Sequence, residues 1–338
     1  MTNEQWLQER RKRICSSDIA AVINADPYRT PLNIALSKLT NEDIFENDYT
    51  LVGHALESFV MRWFADENDI VFWEDKTAEG AVISDKIIYA PYPKFIIHPQ
   101  NDNFAATPDY FYGGDGILEC KTTMKIIDSV QEYPPWYIQC QWQLFVTGRK
   151  EATLAWVTLP YNFSHKKFLE SYKEEQDIEV LRSVFKYNQE TFQRDEEVID
   201  SLQFEATKFL EDYISQNKLP EATTEADAAY LYPSSILGKV IDVKVETNDL
   251  CEEILNMDAE AKELEEKIKI KKGILKTIIK DAEAINYDGK CIATYKTAVR
   301  HSIDTNKLKA DYANIAQEIT VTNEYRRLYI KKKSKVDL

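Results

Sequence analysis

Ala105-Ala106-Thr107-Pro108-Asp109-Tyr110-Phe111-Tyr112-Gly113-Gly114-Asp115-Gly116-Ile117-Leu118-Glu119-Cys120-Lys121-Thr122-Thr123 is the stretch on which the fold turns. It reads as two β-strands, Asp109 to Tyr112 and Gly116 to Lys121, joined by a turn at Gly113-Gly114-Asp115. Side chains alternate along a strand, so Glu119 and Lys121 share one face and Cys120 takes the other. Asp109, on the neighbouring segment, brings a second carboxylate to the same place. Ile117 and Leu118 make the strand apolar, and charges planted in such a strand need a reason. Two readings stand side by side. One is a cross-strand salt-bridge set on a solvated face. The other is a set of hard oxygen ligands for Mg²⁺ or Mn²⁺. A metal there polarises a phosphodiester and lowers the pKa of a bound water. Lys121 then orients or deprotonates that water, or stabilises the developing charge.

Working outward, Leu51 to Asn68 has Leu56, Phe59, Val60, Trp63 and Phe64 at helical spacing, which places Glu57 on a helix with one buried face. Downstream, Pro135 to Gly148 reads as a helix with proline near its start. On it, Gln139 and Gln143 stand one turn apart on the same face. Glu57 as a surface acid and the glutamines as a polar helix face are the plain readings. A third acid and an amide for a scissile phosphate or a metal-bound water are the functional ones. Ile70 to Trp73, Val82 to Tyr89, Phe95 to Ile97, Phe104 to Ala106 and Ala152 to Leu159 read as strands. Trp6 to Arg13 is a short basic helix, and Ser17-Asp18 is the expected cap of a helix over Ile19 to Ile23. Lys166 to Gln216 reads as a long charged helix, broken once.

From Leu219-Pro220 the chain turns polar, which divides it into a domain at 1–218 and an accessory region at 219–338. In the second, Leu250, Ile254, Met257, Ala261, Leu264, Ile268, Leu275 and Ile278 repeat with 4-3 spacing, and Lys271 interrupts one slot. This predicts a coiled coil or a helical hairpin arm. A β-hairpin turning at Asp288-Gly289, a helix capped by Asp304 and a closing strand over 328–330 follow, then a basic tail from Arg326 to Lys335.

Composition narrows the chemistry. The 338 residues carry 57 Asp and Glu against 42 Lys and Arg, a net charge of −15. That balance argues against a uniformly nucleic-acid-binding surface but leaves room for a local basic groove. Five cysteines without a C-x-x-C and four histidines without H-E-x-x-H argue against zinc and iron–sulfur centres. No Gly-rich phosphate loop is present. An enzyme with this inventory works through carboxylates. The chain has no long apolar run and no signal-peptide core, so a cytoplasmic protein without membrane spans is expected.

Five motifs in order resemble one family. Cys15-Ser16-Ser17-Asp18-Ile19-Ala20-Ala21-Val22-Ile23, with Asp26-Pro27-Tyr28-Arg29-Thr30-Pro31, comes first. Gly53-His54-Ala55-Leu56-Glu57, Ala106-Thr107-Pro108-Asp109, Leu118-Glu119-Cys120-Lys121-Thr122-Thr123 and Tyr137-Ile138-Gln139-Cys140-Gln141-Trp142-Gln143-Leu144-Phe145-Val146-Thr147-Gly148 follow. Over about residues 6 to 160 the chain looks like the YqaJ-type viral recombinase branch, the phage lambda exonuclease-like branch, of the PD-(D/E)XK restriction-endonuclease-like nuclease superfamily. The resemblance implies an α/β fold with a mixed central sheet flanked by helices, followed by an α+β appendage. It implies that Asp109 and Glu119 are the principal metal ligands with the Cys120 carbonyl. Glu57 serves a second metal directly or through water, Lys121 acts on the nucleophilic water, and Gln139 supports the site. Arg10, Ser17 and Arg29 match positions that hold a DNA 5′-phosphate. The implied activity is an Mg²⁺-dependent (or Mn²⁺-dependent) 5′→3′ exonuclease on linear double-stranded DNA. It leaves a 3′ tail for a strand-annealing protein in a phage- or prophage-encoded recombination system. A ring-shaped homotrimer is the implied assembly. The alternatives are a structure- or sequence-specific endonuclease on the same core and a non-catalytic DNA-end-binding module. Cys15 and Ser16 replace the usual Gly of the family, and Tyr110 follows Asp109 where Gly is common.

Overall fold

The computed structural model describes residues 2–40, 47–73, 86–91, 94–172, 178–322 and 325–331. They form two compact units, Met1–Leu231 and Tyr232–Leu338.

The first unit opens with α1 (Asn3–Arg11), β1 (Ile14–Cys15), α2 (Ile19–Val22), α3 (Pro31–Leu39) and α4 (Asp48–Glu67). Next come β2 (Val71–Trp73), β3 (Ile87–Tyr89), β4 (Ile96–Ile97), β5 (Phe104–Ala106), β6 (Tyr110–Tyr112) and β7 (Gly116–Thr123). It closes with α5 (Pro134–Thr147), β8 (Glu151–Thr158), α6 (His165–Ser171), α7 (Ile178–Val184), β9 (Lys186–Gln193), α8 (Glu196–Phe209) and α9 (Glu225–Leu231). The main sheet has the order β2-β3-β6-β7-β8-β9, and a small sheet has the order β1-β5-β4. β6 and β7 pair antiparallel, Tyr110 opposite Leu118, while β7 and β8 run parallel with Glu119 beside Leu154. The fold is therefore mixed α/β, with helices on both faces of a mixed sheet.

Alternation along β7 sorts its residues between two cores. Leu118 and Cys120 pack with Val52, Leu56 and Val60 of α4. Ile117 packs on the other face with Cys140 and Leu144 of α5. Each such side chain, fully withdrawn from water, stabilises the fold by about 1.5–3 kcal/mol. Gly116 permits the start of β7, because a Cβ there would lie 2.5 Å from the Tyr112 ring. α5 has proline in its first turn and ends on Gly148 at φ 71°, whose N–H donates to the Leu144 carbonyl.

Four sequence expectations change. The long helix expected over 166–216 contains the edge strand β9, paired antiparallel with β8. Its two large apolar residues, Tyr187 and Phe192, have opposite parity and face different cores. No alternation signal survives when each face receives one ring. The Ser17-Asp18 cap is not made; Asp18 has helical backbone angles and no capping hydrogen bond. Helix α3 is additional, entered through a Thr30 capping box. Residues 328–330 form no strand. The part of the expected strand at 82–85 and the basic tail beyond Lys331 lie outside the described residues.

The polar stretch after Leu219 is partly built into the first unit. Leu219 packs on its core, and the Asp227 carboxylate accepts from the Thr30 hydroxyl at 2.9 Å. The second unit contains α10 (Val245–Ile279), an antiparallel hairpin of β10 (Ala284–Tyr287) and β11 (Lys290–Thr294), α11 (Thr305–Asp311) and α12 (Ala313–Glu318). The hairpin turns at Asp288 and Gly289, both at positive φ (50° and 74°), as a two-residue loop of the primed class requires. α10 is one uninterrupted helix of 35 residues. Among the described residues no helix is long and apolar enough to cross a membrane.

Candidate active site

Glu119 is 2% exposed, which rules out the solvated-face reading of its strand. Its carboxylate is held from three directions. Lys121 Nζ donates to Oε1 at 2.6 Å, Gln139 Nε2 donates to Oε1 at 2.5 Å, and Gln143 Nε2 donates to Oε2 at 2.7 Å. The period of β7 puts Glu119 and Lys121 on the α5 side, and the one-turn spacing of α5 brings both amides onto the same carboxylate. Asp109, immediately before β6, accepts from the Cys120 backbone N–H at 2.8 Å through Oδ2. Cys120 points its thiol into the α4 core.

Glu57 projects from α4 into the same cleft, where Lys94 Nζ donates to it at 3.1 Å. Burial, then the charges of Glu119 and Glu57, push the Asp109 carboxyl well above the usual range. Burial works against the Lys121 ammonium, but Glu119 and then Asp109 outweigh it and raise its pKa. The Lys94 ammonium is likewise disfavoured by burial and raised on balance by Glu57 and Asp109. Three carboxylates thus share one region with two lysines. Among the described residues no three His, Cys, Asp or Glu side chains draw together into a ready-made metal cage. The donor set nevertheless fits a hard divalent cation, since carboxylate oxygens of Glu57, Asp109 and Glu119 line one cleft.

A second charged centre surrounds Asp18, which is 1% exposed. Lys38 pairs with it at 2.7 Å, Arg10 at 3.4 Å and Arg29 at 3.6 Å. Burial alone would raise this carboxyl; the charges of Lys38, Arg10 and Arg29 reverse that and hold it far below the carboxylate range. Arg10 Nη2 also donates to Ser17 Oγ at 2.8 Å, and its guanidinium lies 4.6 Å from the Trp6 ring centre. Arg29 donates to the Ser17 carbonyl and, at 3.1 Å, to Asp26. Cations exceed acids here, and the surplus faces outward through Arg10.

One cleft of about 1150 Å³ joins these centres. Arg10, Ser16 and Ser17 line it, and so do Glu57, Asp109, Glu119, Cys120, Lys121 and Gln139. Of the residues given a catalytic, metal or phosphate role from the sequence, Arg29 alone does not line it and instead donates to the Ser17 carbonyl. Three participants were not assigned a role from sequence. Gln143, noted only as Gln139's helical neighbour, is a direct partner of Glu119. Lys38 sits on the unexpected α3. Lys94 lies in the chain between β3 and β4 and carries no local signal at all. Thr107, next to Pro108 in the strongest motif, also lines the cleft.

Comparison with known proteins agrees with the motif reading. Residues 5–150 match the family of the YqaJ-like viral recombinase domain. The uncharacterized protein YqaJ of Bacillus subtilis (strain 168) is 26% identical over 346 residues, covering 99% of this chain and 96% of that one. Two solved structures are similar. The alkaline exonuclease LHK-Exo from Laribacter hongkongensis has a TM-score of 0.42 at 18% identity, covering 63% of this chain and 94% of its own. A phage related exonuclease from Haemophilus somnus 129PT has a TM-score of 0.41 at 16% identity, covering 61% and 96%.

Proposed function

Taking residues 5–150 as a YqaJ-like viral recombinase domain, we propose that the chain is a divalent-metal-dependent exonuclease that degrades linear double-stranded DNA from the 5′ end. The observation that carries the reading is the shared cleft, lined by both a carboxylate–lysine–glutamine cluster and an arginine–serine cluster. A scissile phosphodiester fits the first and a terminal phosphate the second.

Asp109 and Glu119 would hold Mg²⁺ or Mn²⁺, with the Cys120 carbonyl and with Glu57 once it leaves Lys94. A bound metal of this kind supplies a Lewis acid for the phosphoryl oxygen and a lowered pKa for attached water. The chain's own residues do the rest. Lys121, anchored on Glu119, directs its ammonium toward the attacking water and the phosphate oxygens, where charge grows in the transition state. Gln139 and Gln143 prevent the Glu119 carboxylate from rotating. Arg10 and the Ser17 hydroxyl receive the 5′-phosphate by charge-assisted hydrogen bonds, setting the register of the next phosphodiester. The product is a 3′ single-stranded tail, the substrate class of a strand-annealing protein. A ring-shaped trimer, implied by the resemblance, is part of this reading.

The test uses end-labelled duplex with Mg²⁺. Digestion of linear DNA with release of 5′-mononucleotides, faster when the end bears a 5′-phosphate, is expected. Lys121→Ala should lower the rate by about 10²–10⁴-fold. Cleavage of closed circles would instead establish an endonuclease, and full activity in Lys121→Ala would remove the catalytic assignment.

A further inference from the structure

The second unit exposes a seam that its own fold does not cover. Of the 35 residues of α10, Ile279 alone is buried. Leu250, Met257, Leu264, Ile268, Leu275 and Ile278 are 53%, 52%, 59%, 43%, 38% and 63% exposed. They occupy one stripe with the alternating 4-3 spacing of a coiled-coil core, a stripe about 40 Å long at 1.5 Å per residue. An apolar stripe of that length on an exposed helix marks an interaction surface.

The charges beside the stripe say what covers it. With Ile254, Ala261, Ile268 and Leu275 as one set of core positions, and Leu250, Met257, Leu264, Lys271 and Ile278 as the other, the charged flanking residues separate by sign. In the N-terminal half they are Glu253, Asp258, Glu260 and Glu265; in the C-terminal half they are Lys267 and Lys272. The whole surface of the helix follows the same division: from 246 to 266 there are nine acidic residues against Lys262, and from 267 to 280 there are six lysines and no acid. A helix dipole favours acids in the first turn and bases in the last, but its influence does not extend over ten turns.

Flanking charges set partner orientation in coiled coils. A parallel, in-register partner of the same sequence would face Glu253 with Asp258, Glu260 with Glu265 and Lys267 with Lys272, like against like at every site. An antiparallel partner of the same sequence lays the acidic half of each helix on the basic half of the other. The same arrangement can set Lys271 against the small Ala261 of the other copy, which leaves room for the lysine stem to reach water.

We propose that α10 docks antiparallel on α10 of a second copy of this chain, a self-complementary two-fold contact. It links whatever assembly the first unit makes, two by two. The argument rests on the second unit alone and is independent of the nuclease reading.

The experiment uses the full chain with Cys291→Ser, so that Cys251 is the one accessible thiol on the second unit; Cys15, Cys120 and Cys140 are buried. Light scattering gives the mass in solution. Glu253→Lys, Asp258→Lys, Glu260→Lys and Glu265→Lys together should halve it, since every charged position flanking the stripe is then basic. Adding Lys267→Glu and Lys272→Glu in the same chain inverts the pattern at the flanking positions and should restore the mass, which a merely misfolded variant would not do. Orientation is read by a short bismaleimide in an Ile278→Cys variant. Inter-chain links between Cys251 and position 278 are expected, because two Cys251 thiols in the antiparallel pair lie about 40 Å apart. A Cys251–Cys251 link would establish a parallel pair and overturn the proposal. A mass that the charge changes do not move would show that this seam is covered by something other than a second arm.

Discussion

Asp18 and Glu119 make an instructive pair: two carboxylates, 1% and 2% exposed, whose partners Arg10 and Lys121 line one cleft, and satisfied in opposite ways. Asp18 is surrounded by Lys38, Arg10 and Arg29, so its neighbourhood carries more positive than negative charge. Glu119 has a single lysine and two neutral amides, with the carboxylates of Asp109 and Glu57 close enough to act on one another. Burial forces both acids to find partners, but the type of partner decides the sign left over. A surplus of cations suits a phosphate, and a surplus of carboxylates suits a metal ion. In the proposed function this difference is what lets one cleft take a terminal phosphate beside Arg10 and a metal ion beside Glu119.

Matched amide substitutions should break the comparison most visibly. Glu119→Gln should reduce cleavage at least 10²-fold in a linear-duplex assay while costing about 1–3 kcal/mol of stability, since one partly exposed ammonium loses its partner. Asp18→Asn should do the reverse. It strands Arg10 and the nearly fully buried Lys38, while Arg29 keeps Asp26, and should cost about 3–5 kcal/mol in denaturant unfolding. Equal stability losses in the two variants would contradict the difference drawn between the centres.

Arg10→Ala should come next. The loss of one charge-assisted contact should weaken binding of a 5′-phosphorylated end by about 10–100-fold, roughly 1.5–3 kcal/mol, and leave a 5′-hydroxyl end unaffected. Competition between the two ends measures it directly.

Acid should then erase what Asp18 contributes. Its folded-state pKa is depressed, so the stabilisation is complete above the value of an unfolded carboxyl, about 3.9, and fades as pH falls toward the folded value. The gap in melting temperature between the wild type and Asp18→Asn should thus be widest near neutrality and should narrow from about pH 4 downward. A gap that grows in acid would give the linkage the wrong sign.

Gln143→Leu should have the smallest effect. It leaves Lys121 and Gln139 on Glu119 but frees one oxygen, and should slow cleavage about 10-fold with little change in end binding.

The motif around Asp109 and Glu119 was readable because strand alternation and helical spacing are local rules. They place Glu119 with Lys121, send Cys120 to the opposite core, and put Gln139 and Gln143 on one side of α5. The same locality explains the failures. β9 hides its alternation because Tyr187 and Phe192 serve different cores. Asp18 looked like a helix cap, the common use of that residue type, because nothing near it in sequence foretells Lys38 at a distance of twenty residues. Lys94 has no pattern at all; it matters only because the chain returns past Glu57.

Two things were thus legible in the order of amino acids: a pair of acids and a lysine on segments joined by one turn, and an apolar stripe with 4-3 spacing. Both follow from local rules, alternation across a turn and helical spacing along an element. The sign of each charged centre beside the cleft was decided by tertiary structure alone. It depends on which distant side chains share a buried space, and electrostatic energy in such a space is set by separation in three dimensions rather than along the chain.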